Sequence, residues 1–236
     1  MEVSEAIRRR RSIKKYHDMK VDQDKIMSLI DGARLAPSAG NLQPWKFIVV
    51  EDEGKRKKIA EACFQQYWME TAPVYIVICA EVNKMSRFYG LRGERLYSIQ
   101  SCALAAENIM LEAVDMGLGT CFVSAFDEGM MRNIFNLPDF ARPQAVITLG
   151  YPAEETPQPP KYTLDDVAFL EGFGGRIRDV DQYTGYAWAR RVQETVNMAR
   201  DALNDASKGA SKKGESIFKK ASDGIKKKIK DYKDNK

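Results

Sequence analysis

The sequence predicts an α+β body, with helices packed on a sheet, followed by a long helical tail. Three observations predict it. Helix-period and strand-like segments are mixed along the chain up to residue 152, with no internal repeat, which favours layers of helix and sheet over a bundle or a sandwich. One strand candidate, "PVYIVICA" at 73–80, is apolar throughout, as a strand covered on both faces must be. Near residue 186 the pattern changes to a basic stretch with a single thin apolar stripe. With 236 residues, 44% of them hydrophobic, the chain has material for one sizeable core or two small ones.

The elements follow in order. The chain starts charged. "DQDKIMSLIDGARLA" at 22–36 places Ile26, Leu29, Ile30, Ala33 and Leu35 at helical spacing, with Asp22 as its cap and Pro37 as its end. "APSAGNLQPW" at 36–45 is dense in turn formers, and "KFIVVE" at 46–51 reads as a strand. A helix is expected over 54–70. "SIQSCALAAENIMLEAVDMG" at 98–117 is the most apolar helix, with apolar side chains on more than one face, and Gly117 stops it. "GTCFVSA" at 119–125 is a strand, "EGMMRNIFNLP" at 128–138 a short helix, and "QAVITLGYP" at 144–152 the last strand of the body. Pro157, Pro159 and Pro160 then mark an extended connector.

Over 188–232 a stripe from Trp188 to Tyr232 recurs with a mean step of 3.67 residues, nearer an 11-residue repeat than a heptad. Its middle is Ala and Gly, and Gly209, Gly214 and Gly224 each cost about 1 kcal/mol of helix propensity. The domains expected are thus 1–175, a folded body, and 176–236, a basic amphipathic helical tail. Residues 187–236 carry 14 Lys and Arg against 7 Asp and Glu, whereas residues 1–186 carry 23 against 26. The case for a polyanionic partner therefore belongs mainly to the tail. The tail leaves open a helix packed on the body or on a second subunit, a solvated extension, and peripheral contact with an anionic membrane. Nucleic acid is disfavoured, because aromatic residues are sparse among its lysines.

The four cysteines, Cys63, Cys79, Cys102 and Cys121, form no CxxC pair and sit among apolar residues. They read as buried free thiols in a reducing cytoplasm, with no metal centre. The charged start argues against a signal peptide, and the longest apolar run is too short to span a bilayer. His17 is the only histidine, which excludes a His-based triad or a His-rich metal cluster. Phosphate-loop, zinc-protease and nucleophile-elbow motifs are missing, and no strand–GxGxxG–helix unit supports a dinucleotide fold.

What remains is a chain with Arg, Ser, Asn, Gln and Gly at turns and few proton shuttles, suited to a cofactor that brings its own chemistry. In "RRSIKKY" at 10–16, Arg10 and Arg11 offer forked donors that suit phosphate, Ser12 a hydroxyl and Lys14 a compact cation. Arg10, Ser12 and Lys14 alternate, so an extended segment points them one way. In "PSAGNLQPW", Ser38, Asn41 and Gln43 offer donors and acceptors on a turn where Gly40 supplies a position for positive φ. A solvated helix end and a plain connecting loop are the ordinary alternatives for these two stretches.

Read together, the stretches "RRSIKKY" (10–16), "LIDGARLAPSAGNLQPWKFIVV" (29–50), "GLGTCFVSAF" (117–126) and "VITLGYPAEETPQPPKYTLDDV" (146–167) resemble the nitroreductase family of flavoproteins, in that order and spacing, over residues 3 to about 170. The resemblance implies a three-layer α-β-α fold with a mostly antiparallel central sheet. It implies an obligate homodimer with FMN at the subunit interface, and NADH or NADPH as electron donor. Arg10, Arg11, Ser12 and Lys14 match the family's flavin-binding motif. Pro37, Ser38, Ala39 and Asn41, with Gln43, match the loop that reaches the flavin from the partner subunit. Leu118, Gly119 and Thr120 match the turn beside the flavin ring. Lys161 stands where members often carry an arginine for the phosphate, keeping the charge but losing the fork.

The implied activity is hydride transfer from NAD(P)H through flavin N5 to a small-molecule acceptor, in two half-reactions, with Lys14 as electrostatic support. The acceptor class is an aromatic or conjugated compound such as a nitroaromatic or quinone; a dedicated acceptor, as in a reductive dehalogenase, is the alternative. In "MSRFYGLRGERLY" at 85–97, expected near a substrate lid, Phe88, Tyr89 and Arg92 are the substrate-binding candidates, and a mobile loop or a dimer-facing helix start are the plainer readings. A module that binds membrane or nucleic acid through the basic tail, with no enzymatic activity, is the reading from another class.

Overall fold

The computed structural model describes residues 1–175 and Ile177, so the tail expected over 188–232 lies outside the described residues. The chain forms two compact units, Met1–Pro159 and Pro160–Lys236, divided within the proline-rich stretch.

In the first unit four strands build one sheet. They are β1 (Trp45–Val50), β2 (Val74–Glu81), β3 (Gly119–Val123) and β4 (Ala141–Gly150), in the order β1-β2-β4-β3 with every neighbouring pair antiparallel. Alternate residues of β2 feed two different cores, because successive side chains leave a strand on opposite faces. Val74, Ile76, Ile78 and Ala80 pack with Ile26, Leu29 and Ala33 of α2 (Gln23–Arg34) and with Ala105, Ile109 and Ala113 of α5 (Ser98–Asp115). Tyr75, Val77 and Cys79 pack with Ile59 and Ala60 of α3 (Glu53–Ala62) and Met131 of α6 (Glu128–Phe135). Helices on both faces of the sheet make three layers, the architecture expected. All four cysteines are buried free thiols.

Several sequence expectations need correction. The charged start folds as a short helix, α1 (Val3–Arg9), with Ala6 buried and Arg9 paired to Glu5 at 2.8 Å on its solvated side. Asp22 occupies the cap position of α2, but its side chain accepts no capping hydrogen bond; only its carbonyl accepts, from the Ile26 N–H at 3.2 Å. The helix expected over 54–70 stops at Ala62, because Phe64 and Gln65 adopt φ of 56° and 60°, and a short 3-10 turn at Tyr67–Thr71 follows. The last strand starts three residues early, at Ala141. Pro143 fits inside it beside a bulge between Ile78 and Cys79 on β2, where the ladder hydrogen bond that proline cannot donate is not needed.

The stretch 85–97 is helical. α4 (Val82–Arg92) runs on through a π-helical turn at Gly93–Tyr97 into α5, interrupted only at Gly90, whose φ is 57°. On α5 the buried positions Ser98, Ser101, Cys102, Ala105, Ala106, Ile109, Met110 and Ala113 form one broad face. Ile99 and Leu104, on the other side, are 42% and 46% exposed, so the described residues do not cover this helix all round. In the second unit, Thr163 caps α7 (Leu164–Val167) in a reciprocal box with Asp166, and the Phe169 and Phe173 rings lie 5.0 Å apart. Among the described residues no helix is long and apolar enough to cross a membrane.

Candidate functional site

The segment Arg10–Lys14 leaves α1 and lies as a strap along the end of β3. Ser12 makes a parallel bridge with Thr120, and the Ile13 N–H donates to the Thr120 carbonyl at 2.9 Å. The alternation has the physical sense expected of extended backbone: Ile13 is buried at 7% exposure while Ser12 and Lys14 face out. Gly119 permits the close approach, since a Cβ there would stand 2.8 Å from Ile13 Cγ1. The strap and the Leu118–Thr120 segment that opens β3 are thus one structure, although they lie far apart in the sequence.

Arg11 is half-buried and turns back on α1. Its Nη1 donates to the Arg8 and Arg10 carbonyls at 2.6 and 2.7 Å, satisfying groups at the C-terminal end of the helix. Its Nε is buried without a partner, and so is Thr120 Oγ1. A buried polar group without a partner costs about 1–3 kcal/mol, so two of them at one strap mark a place that suits polar atoms from outside the chain. Lys14 puts Nζ 5.5 Å from the centre of the Trp68 ring, and its N–H donates to the Glu154 carboxylate at 3.2 Å. Beneath the strap, burial pushes the Cys121 thiol up, while the Lys14 charge, a Ser12 hydrogen bond and the Arg10 charge pull it back. The Arg10 and Lys14 charges thus lie near Cys121 on this side of the sheet.

The loop after α2 is a second cluster. Pro37 is exposed and Ala39 half-buried, and Gly40, Asn41 and Gln43 all have positive φ, at 57°, 54° and 48°. For Asn41 and Gln43 this is strain, and the loop pays it through its own bonds: Ser38 Oγ accepts from the Gln43 N–H at 3.0 Å, and Asn41 Oδ1 accepts from Gln43 Nε2 at 3.2 Å. The Tyr89 ring rests on this loop, because a Cβ at Gly40 would stand 2.5 Å from its hydroxyl. We expect Gly40→Ala to destabilise the chain by about 1–2 kcal/mol, from the left-handed backbone alone, plus a steric part that disappears in a Tyr89→Phe background. Urea unfolding of the two single variants and the double checks it.

The three substrate candidates share α4 but not one environment. Phe88 is 64% exposed, Tyr89 packs edge-on to Tyr97 with ring centres 5.2 Å apart, and Arg92 donates from Nε to the Tyr97 hydroxyl at 3.0 Å. Lys161 is exposed and belongs to the second unit. Two residues outside the strap that touch it, Trp68 and Tyr16, had no role assigned from sequence. Trp68 was hidden by the break in the 54–70 helix. Tyr16 ends the quoted motif, and its aromatic type at the close of an alternating segment was the available signal.

Known proteins are similar to this chain. The model of the family described as "Nitroreductase family" matches residues 7–68 and 62–151. An "NADH dehydrogenase" of Thermus thermophilus is 32% identical over 184 residues, covering 66% of this chain and 89% of its own. An "FMN reductase [NAD(P)H]" of Bacillus subtilis is 27% identical over 215 residues, covering 83% of each chain. Among solved structures, an "FMN-dependent Nitroreductase" of Clostridium difficile superposes with a TM-score of 0.62 at 27% identity, covering 71% of this chain and 98% of that one.

Proposed function

Because the chain belongs to the nitroreductase family, we propose that it is an FMN-dependent oxidoreductase passing hydride from NADH or NADPH to an aromatic or conjugated acceptor. The family and its relatives' names support the coarser statement, an NAD(P)H-dependent flavin oxidoreductase. The observation that carries the reading is the pair of buried, unpartnered polar atoms, Arg11 Nε and Thr120 Oγ1, on two segments locked together by the Ser12–Thr120 bridge.

Arg10, Arg11, Ser12 and Lys14 would hold the flavin, with Leu118, Gly119 and Thr120 beside its ring. Pro37, Ser38, Ala39, Asn41 and Gln43 would come from the loop of a second copy. FMN, when bound, supplies a carrier that takes hydride from the nicotinamide and returns it to the acceptor. The chain supplies the rest: forked donors for phosphate, a cation at Lys14 where negative charge collects, and a buried wall that excludes water. No side-chain general base is required, consistent with one histidine in 236 residues. Nitroaromatics and quinones are the acceptors proposed, with Phe88, Tyr89 and Arg92 on their side of the site. Oxidation of NADH or NADPH that depends on added FMN and on a quinone or nitroaromatic supports this; oxidation unaffected by either rejects it.

A homodimer belongs to the proposal. The uncovered side of α5, with Ile99 and Leu104, and the exposed Phe88 and Leu91 of α4 supply apolar surface for a second copy. Light scattering on the eluting protein is expected to give twice the chain mass, and Leu104→Arg to reduce it; a monomer for the unaltered protein removes the shared site.

A further inference from the structure

Both backbone groups of Ile13 are hydrogen-bonded. Its N–H goes to Thr120 on β3, and its carbonyl accepts from the Tyr16 hydroxyl at 2.7 Å. The same hydroxyl lies 2.7 Å from Oγ1 of Thr148 on β4. Tyr16 is 6% exposed and Thr148 fully buried. A phenol donates one hydrogen, so with that hydrogen on the Ile13 carbonyl, Thr148 is the donor to the phenol oxygen. Gly150 makes room for the ring, since a Cβ there would stand 2.9 Å from Tyr16 Cδ1 and 2.6 Å from Pro73 Cδ. Beyond the ring the chain is fastened again, by the His17 N–H to the Tyr151 carbonyl and the Ala153 N–H to the Lys15 carbonyl, both at 2.9 Å.

We propose that Tyr16 and Thr148 form a buried hydroxyl clasp whose function is to set the position of Ser12 and Lys14 toward the flavin. The inference rests on the flavin reading of the strap. Ile13 lies between Ser12 and Lys14, so fixing its carbonyl fixes the peptide that carries Lys14, while Thr120 fixes the peptide that carries Ser12. Burial pushes the Tyr16 phenol up from its ordinary value near 10, so the donor keeps its proton at any working pH. Tyr16 and Thr148 are positioning residues, acting through the strap.

The test is Tyr16→Phe and Thr148→Val, read by the Kd for FMN from quenching of its fluorescence and by the midpoint potential of the bound flavin. Tyr16→Phe, which strands the Ile13 carbonyl, is expected to raise the Kd about tenfold and to shift the potential, because Lys14 moves. Thr148→Val keeps the bond to Ile13 and is expected to raise the Kd less; it also serves if Tyr16→Phe fails to fold. Ile147→Ala, beside Thr148 on the same strand, controls for general loss of stability and is expected to leave both readouts unchanged. An unchanged Kd and potential in Tyr16→Phe, or in Thr148→Val where only that variant folds, overturns the clasp, as does a Kd that rises equally in Ile147→Ala. Failure of the unaltered protein to take up FMN overturns the flavin reading and the clasp together.

Discussion

Gly119→Val is expected to abolish most flavin binding while leaving the fold in place. Gly119 pairs with Gly150 at the start of β3, and valine is well suited to a strand, so the backbone accepts it. The side chain does not fit. Its Cβ alone would stand 2.8, 3.1 and 3.2 Å from three atoms of Ile13, all nearer than ordinary contact, and valine adds two methyls beyond it. Overpacking of this kind costs about 1–3 kcal/mol. It can be relieved by letting the strap rise, because its ties to β3 here are weak ones, the Ile13 N–H to Thr120 and a Ser12 hydrogen bond to Cys121. Lifting the strap removes Arg11, Ser12 and Lys14 from Thr120 together, so the Kd for FMN is expected to rise by roughly tenfold to a hundredfold. Ile13→Ala, which removes two of the three clashing atoms, is expected to restore part of the affinity. Titration of apoprotein into FMN measures both; an unaltered Kd in Gly119→Val contradicts the role given to the strap.

Ile147→Ala is expected to do the opposite. Ile147 is fully buried on β4, opposite Ile76 of β2 and Phe122 of β3, inside the core that joins the sheet to α2 and α5. Truncating it leaves a cavity that neighbours on three strands cannot close without breaking register, at a cost of about 3 kcal/mol. That is a large share of the roughly 5–15 kcal/mol that holds an ordinary domain folded. The urea midpoint should fall sharply while the folded fraction binds FMN as before. The two variants separate what holds the fold from what holds the strap.

Much of this was legible along the chain. The unbroken apolar run at 73–80 announced an interior strand, and β2 is buried on both faces. The alternation of Arg10, Ser12 and Lys14 announced an extended strap with one side turned outward. Turn formers at 36–45 announced the loop, and Gly40 takes the positive φ expected of it. What escaped depends on contacts that local pattern does not encode. Phe64 and Gln65 break the third helix in a left-handed conformation that neither residue type advertises. Tyr16 and Thr148 meet across 132 residues of separation. The exposed apolar side of α5 looks, in sequence, the same as the buried one. Tyr89 meets Gly40 through a helix that composition alone left as a candidate loop.

The proposed flavin site lies where the strap meets β3, with reduced nicotinamide as its electron donor. An anaerobic visible spectrum of the purified protein, reconstituted with FMN and then titrated with NADH or NADPH, tests it most directly. The expected result is a yellow protein whose colour bleaches with either nucleotide and returns on addition of a quinone. A protein that stays colourless through reconstitution, or a bound flavin that neither nucleotide bleaches, would contradict it.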